Sequence, residues 1–189
     1  MRKVIITGLL LMIFMSCTSV RPFKGTADLH GAVYDVKNRP VAGCTILIEG
    51  NEKALTDTNG RFVLYGLKSG VYEIETKSLI SEAYRGQIEF LNETQYVLIT
   101  VIDVDTLCES AEKYIDAMNV EKAEEAIYRI LAVNGNNSNA VMYLAVLRYK
   151  EKNYDAALRV LRDAEKRGVS DKWMKTFNEK LEAEREKNS

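Results

Sequence analysis

The chain has 189 residues, of which 47% are hydrophobic and 28% are charged, and its net charge at pH 7 is −1. This composition is typical of a globular chain with one ordinary domain or two small ones. A charge so close to balance gives no general attraction to a polyanion, so we expect no nucleic-acid partner.

The N-terminus has the features of an export signal. Arg2 and Lys3 precede an uncharged, mainly apolar run from Val4 to Met15. A membrane-spanning helix needs about 17–25 apolar residues, so this shorter run fits a secretory signal better. Removal of residues 1–16 takes away two positive charges and leaves a net charge of −3 instead of −1.

The apolar run ends in Phe14-Met15-Ser16-Cys17, and a polar stretch follows. This segment resembles a lipobox, which implies that Cys17 receives a diacylglycerol after cleavage of residues 1–16. Residues 17–27 would then be the lipidated cysteine and its tether. The resemblance implies a cell-envelope lipoprotein that faces the periplasm or the exterior, and Thr18 after the cysteine favours the outer membrane. The alternative is an ordinary signal peptide, with Cys17 incidental.

Residues 28–103 alternate between apolar and polar side chains, with turn residues between the alternating segments. The predicted strands are residues 29–35, 44–49, 54–57, 61–65, 71–76, 83–90 and 95–102. Seven short strands at this spacing predict an all-β sandwich.

Several motifs in this region form a recognisable pattern. They are Gly31-x-Val33-x-Asp35, Pro40-x-x-Gly43, Thr56-Asp57-x-x-Gly60-x-Phe62 and Gly70-x-Tyr72. They resemble the carboxypeptidase regulatory-like domain, which implies a seven-stranded transthyretin-like (prealbumin-like) sandwich. The glycines suit turns, Asp57 can bond its own loop, and Phe62 and Tyr72 would face the core. The pattern therefore indicates a fold and no chemistry.

After Asp103 the apolar period becomes helical. The predicted helices are residues 104–118, 120–133, 139–152, 154–167 and 170–184. Ser138 suits an N-cap, and Gly168 suits a C-terminal stop. The second domain is therefore predicted to be all α.

A shift of 34 residues superimposes the first helix pair on the second. The matched residues include Ala111 with Ala145, Asn119 with Asn153, and Ala123 with Ala157. The second pair, Leu144-Ala145 through Asn153-Tyr154-Asp155-x-Ala157, resembles a tetratricopeptide repeat. We predict two such repeats in residues 104–171, followed by a capping helix and a charged tail in residues 172–189.

In tetratricopeptide arrays the first helix of each pair lines a concave surface, so the resemblance places a partner-binding groove on this chain. The predicted groove residues are Cys108, Glu112, Ile115 and Asp116 in the first unit, and Met142, Val146, Tyr149 and Lys150 in the second. The stretch around Met142 is apolar on every side, so both of its faces must be covered. Either a protein partner covers Met142, Val146 and Tyr149, or the sandwich or the last helix does.

The sequence offers no constellation for catalysis, a metal or a cofactor, because His30 is the only histidine in it. Cys44 and Cys108 lie inside periodic apolar elements, which favours buried thiols over a disulfide. We expect a non-enzymatic adaptor or assembly factor, anchored to a membrane by lipid and binding a protein or peptide partner. The alternative is a carbohydrate or peptidoglycan binder that uses the sandwich loops. The oligomeric state stays open.

Overall fold

The structure is a computed structural model and describes residues 22–188. The predicted signal segment and Cys17 lie outside this range. The strands are β1 (Thr26–Asp35), β2 (Thr45–Ile48), β3 (Asn51–Leu55), β4 (Arg61–Lys68), β5 (Gly70–Lys77), β6 (Arg85–Phe90) and β7 (Tyr96–Val101). The helices are α1 (Val104–Asp116), α2 (Val120–Val133), α3 (Ser138–Lys150), α4 (Tyr154–Lys166) and α5 (Lys172–Lys187).

The strands form two sheets with the orders β4-β1-β7 and β3-β2-β5-β6. Strand β1 pairs antiparallel with β4 and parallel with β7, and the second sheet is antiparallel throughout. One core joins inward residues of both sheets, among them Leu29, Val33, Leu64 and Ile99 from the first and Ile46, Ile74, Ile88 and Phe90 from the second. The predicted all-β sandwich is confirmed.

Every strand differs from its predicted bounds by at least one residue, and β1 and β3 show why. Strand β1 begins at Thr26, inside the predicted tether. The prediction missed its first residues because a bulge between Ala27 and Leu29 interrupts the alternation, although the pairing with β4 continues through it. Strand β3 covers Asn51–Leu55 rather than residues 54–57. It is an edge strand with mostly exposed polar side chains, so it lacks the apolar alternation that marks a strand.

The five helices form two hairpins, α1–α2 and α3–α4, and a last helix that packs on α4. Two clusters of buried apolar side chains hold them together. One joins α1, α2 and one side of α3, and the other joins the opposite side of α3 with α4 and α5. Helix α3 is therefore apolar on two opposite sides, in agreement with its sequence.

The turns of the two hairpins are alike and lie 34 residues apart. Met118 and Lys152 both adopt a left-handed conformation, with φ of 53° and 60°. The next residue in each turn caps the second helix, since the side chain of Asn119 accepts from the Lys122 backbone and that of Asn153 from the Ala156 backbone. The 34-residue shift found in the sequence thus corresponds to a repeated backbone turn.

The N-caps of α1, α3 and α5 follow the same period, at Asp103, Asn137 and Asp171. The cap of α3 is Asn137, whose side chain accepts from the Ala140 backbone, and not Ser138 as predicted. The Ser138 hydroxyl instead bonds the Asp171 carboxylate at 2.9 Å. Helix α5 therefore starts where the first helix of a third unit would start.

Polar contacts join the sandwich to α1, α2 and the residues just before α1. Arg39 binds Asp35 and Asp103 at 2.6 Å each, and Lys37 binds Glu109 on α1 at 2.6 Å. The segment between β5 and β6 adds two backbone hydrogen bonds. The N–H of residue 82 donates to the carbonyl of residue 102, and the N–H of residue 104 donates to the carbonyl of residue 80.

Among residues 22–188, no helix is long and apolar enough to cross a bilayer.

Candidate functional site

The apolar stripe on α3 lies between the two helical cores. Tyr143 and Leu147 point into the core shared with α1 and α2, while Val141 and Ala145 point into the core shared with α4 and α5. The stripe residues Met142, Val146 and Tyr149 fall between these two sides and are each partly buried. The structure therefore brings the stripe together as one line along α3.

The predicted groove residues of α1 divide into two kinds. Cys108 and Ile115 are 8% and 4% exposed and belong to the helical core, so they pack beneath the groove surface and are not available to a partner. Glu112 and Asp116 are exposed and make contacts with α3. The Asp116 carboxylate lies 3.2 Å from the ammonium of Lys150. This ion pair joins two predicted groove residues, one on α1 and one on α3.

Glu112 accepts a hydrogen bond of 2.5 Å from the hydroxyl of Tyr143. Burial and this carboxylate both raise the pKa of Tyr143, so the hydroxyl stays protonated and continues to donate. Burial also raises the pKa of the Cys108 thiol, which lies beside the same tyrosine. Cys108 is therefore an unreactive core thiol, and Cys44 is likewise buried, in the sandwich core.

Tyr149 is covered in part by α5. Its ring centroid lies 5.8 Å from that of Phe177, and the ammonium of Lys180 lies 4.8 Å from the Tyr149 ring centroid. The sequence left open that the last helix covers the stripe, and α5 does cover Tyr149, but Phe177 and Lys180 were not named as the covering residues. The signal that could have found them is the third N-cap at the 34-residue period.

A second candidate surface is the outer face of the β4-β1-β7 sheet. Tyr65 is 76% exposed, Tyr96 is 55% exposed, and Leu98 beyond Tyr96 is 64% exposed. A cleft of about 790 Å³ includes both tyrosines together with His30, Lys53 and Arg61. Both tyrosines lie on strands, whereas the alternative carbohydrate site was expected in the sandwich loops.

A cleft of similar size, about 810 Å³, lies between the sandwich and α2. It is lined by Thr45, Lys77 and Ser81 on the sandwich side and by Arg129 and Ala132 on α2. The bidentate bond between Arg129 and Glu82 occupies part of its wall, so the cleft belongs to the junction of the two regions.

Within residues 22–188, no group of three or more His, Cys, Asp or Glu side chains is placed to hold a metal ion.

No family model matches the chain, and no curated protein matches it. Part of it is similar to a cohesin–X-dockerin complex from Acetivibrio cellulolyticus, at 20% identity and a TM-score of 0.33, over 43% of this chain and 60% of that one. It is also similar to the major pilin subunit of Bacillus cereus, at 14% identity and a TM-score of 0.31, over 41% of this chain and 30% of that one. A third likeness is to the C-terminal domain of the PapC usher, at 16% identity and a TM-score of 0.27, over 40% of this chain and 96% of that one. The chain thus spans 60% or less of the first two.

Proposed function

We propose that the chain is a lipid-anchored envelope protein, acylated at Cys17, that acts as a non-enzymatic adaptor. In this proposal the sandwich holds the helices away from the membrane, and the face formed by Met142, Val146 and the exposed residues of α1 binds a protein partner. The proposal rests on the lipobox-like segment of the sequence and on β1, which runs from the end of the tether to the end of the sandwich that contacts the helices.

Strand β1 carries the proposal, because it links the tether to the helices. Its first residues lie beside Phe23, whose ring packs on Phe90 at 5.0 Å and whose carbonyl accepts from Ser69. Its last residue, Asp35, binds Arg39, which also binds Asp103 at the start of α1. Ten residues of strand span about 30 Å, so the helices lie at the far end of the sandwich from the tether.

The assignment of the helices to the tetratricopeptide family and of the sandwich to the carboxypeptidase regulatory-like family is part of this proposal. The recurring turn at Met118 and Lys152 and the recurring N-caps support the first assignment. The hydrogen bonds of Asp57, which accepts from the backbone of Asn59 and Arg61 at 2.8 Å each, support the second. Both families are consistent with binding and require no catalytic group.

The anchor is tested by mass spectrometry of the mature N-terminus. The proposal predicts that the mature chain begins at an acylated Cys17 and partitions with the membrane. Cys17→Ala should release the chain from the membrane fraction, whereas Cys44→Ala serves as the matched control and should not. A mature N-terminus beyond Cys17 with no lipid attached would contradict the anchor and leave the helical face to be tested separately.

A further inference from the structure

The outer face of the β4-β1-β7 sheet displays two tyrosines on rigid strands. His30 on β1 is paired with Val63 on β4 and with Tyr96 on β7, so the three side chains lie on the same face. Tyr65 follows Val63 by two residues and therefore shares that face. The α-carbons of Tyr65 and Tyr96 lie about 12 Å apart, given a strand spacing of about 4.8 Å and a rise of about 3.4 Å per residue.

The cleft beside these tyrosines is lined by more positive than negative side chains. Lys53 on β3 and Arg61 on β4 line it, and neither side chain has an ion-pair partner among the described residues. The one carboxylate in the cleft, that of Asp57, is held in its own turn by two backbone N–H groups. A ligand in the cleft would therefore meet two aromatic rings, two cations without ion-pair partners and one carboxylate.

We propose that this cleft binds an acidic polysaccharide. Sugar rings stack their C–H faces on exposed aromatic rings, and the separation of Tyr65 and Tyr96 suits a ligand longer than one pyranose. Carboxylates on the sugars would pair with Lys53 and Arg61, and Arg61 offers a guanidinium that can bind a carboxylate through two hydrogen bonds. Pockets for small ligands commonly combine such apolar walls with a few polar groups.

The geometry favours a glycan over a protein for two reasons. The exposed side chain of His30 lies on the strand between the tyrosines, so a polar group interrupts the apolar surface there. The two cations of the cleft, Lys53 and Arg61, also outnumber its one carboxylate, Asp57, which suits an acidic ligand. This site is distinct from the helical face proposed above, so each can fail without the other.

The test uses the full chain, purified in detergent and titrated by calorimetry with tetragalacturonate and, for comparison, with uncharged maltotetraose. Tetragalacturonate should bind, and maltotetraose should bind at least about tenfold more weakly. Tyr65→Ala and Tyr96→Ala should each raise the Kd for tetragalacturonate about tenfold or more, while Tyr96→Phe should keep it near the original value. Tyr128→Ala is the matched control, because Tyr128 is 51% exposed on α2, away from the cleft.

Lys53→Gln with Arg61→Gln should remove most of the preference for the acidic over the uncharged oligosaccharide. Unchanged thermal melting of all these variants shows that the sheet remains folded. Three results would overturn the proposal: no binding of tetragalacturonate by the original chain, binding that Tyr128→Ala weakens as much as Tyr65→Ala does, or equal binding of an oligothymidylate of similar length.

Discussion

Arg129 on α2 donates two hydrogen bonds to the carboxylate of Glu82, from Nε to Oε1 at 2.8 Å and from Nη2 to Oε2 at 2.7 Å. Glu82 belongs to the segment between β5 and β6, and its backbone N–H also donates to the carbonyl of Ile102. The pair therefore ties α2 to the same segment that is hydrogen-bonded to the start of α1. This double attachment makes the junction of the sandwich and the helices a defined interface.

We expect Arg129→Ala to lower the free energy of unfolding by about 1 kcal/mol, because the pair has ideal two-bond geometry but is partly exposed to solvent. A double-mutant cycle with Glu82→Gln, measured by denaturant unfolding, isolates the contribution of the pair. The matched control is Arg85→Ala, since Arg85 makes a single bond to Glu75 and is 78% exposed. An equal loss in the control would show that the junction contributes nothing special.

Asp35 should make the protein sensitive to acid. Burial of this carboxyl acts to raise its pKa, but backbone N–H groups of Arg39 and Lys37 and the Arg39 guanidinium outweigh that effect and lower the pKa. A lowered pKa in the folded state contributes stability above the unfolded value of about 3.9, and this stability is lost as the pH falls through the folded pKa.

Asp35→Asn should therefore destabilise the chain by about 2 kcal/mol at pH 7, and the difference from the original chain should shrink below about pH 4. Urea unfolding at a series of pH values measures both effects. Asp57→Asn is the control, because the Asn carbonyl can still accept from the two backbone N–H groups that Asp57 binds. A difference between Asp35→Asn and the original chain that stays constant down to pH 2 would contradict this account.

The sequence predicted the sandwich well where strands are half-buried and poorly where they are not. Val71 to Thr76 alternates clearly because one face of β5 lies on the core. Residues 51–53 of β3 are exposed and polar, so nothing in their side chains shows that the backbone is paired. The bulge after Ala27 hid the start of β1 for a related reason, since it shifts the register that the alternation records.

The candidate sites were harder to predict because they depend on contacts distant in the sequence. The stripe of Met142, Val146 and Tyr149 was visible, since it lies on one helix. The contact of Tyr149 with Phe177 was not, because it depends on how α5 packs. Tyr65 and Tyr96 share a face only because β1 lies between their strands, and a single sequence does not reveal that strand order.

Ala157 lies in the α3–α4 interface and is fully buried. Ala157→Leu should overpack this interface and cost about 1–3 kcal/mol, since the two helices approach closely around small residues. The sandwich should remain folded, because its core shares no cluster with α3 or α4. Hydrogen exchange resolves the two regions, and Ala156→Leu, at a partly buried neighbouring position, is the control with a smaller expected cost. Equal deprotection of β1 and α4 would show that the regions unfold together.

The central claim is that the line of Met142 and Val146 on α3 binds a protein partner. Met142→Lys and Val146→Lys place charges on this line, while the long side chains can still extend toward water, so folding should be retained. Tyr149 is left unchanged because its ring packs on Phe177. Tyr128→Lys is the matched control, as it replaces an exposed apolar side chain on α2.

The most direct measurement is chemical crosslinking in intact cells, followed by identification of the adducts of each variant. The account predicts that at least one partner adduct of the original chain is lost in both Met142→Lys and Val146→Lys and is retained in Tyr128→Lys. Melting temperatures of the three variants should stay within about 3 °C of the original. The same adducts in all four proteins, or a loss that occurs only with a large fall in melting temperature, would contradict the claim that this face is a binding surface.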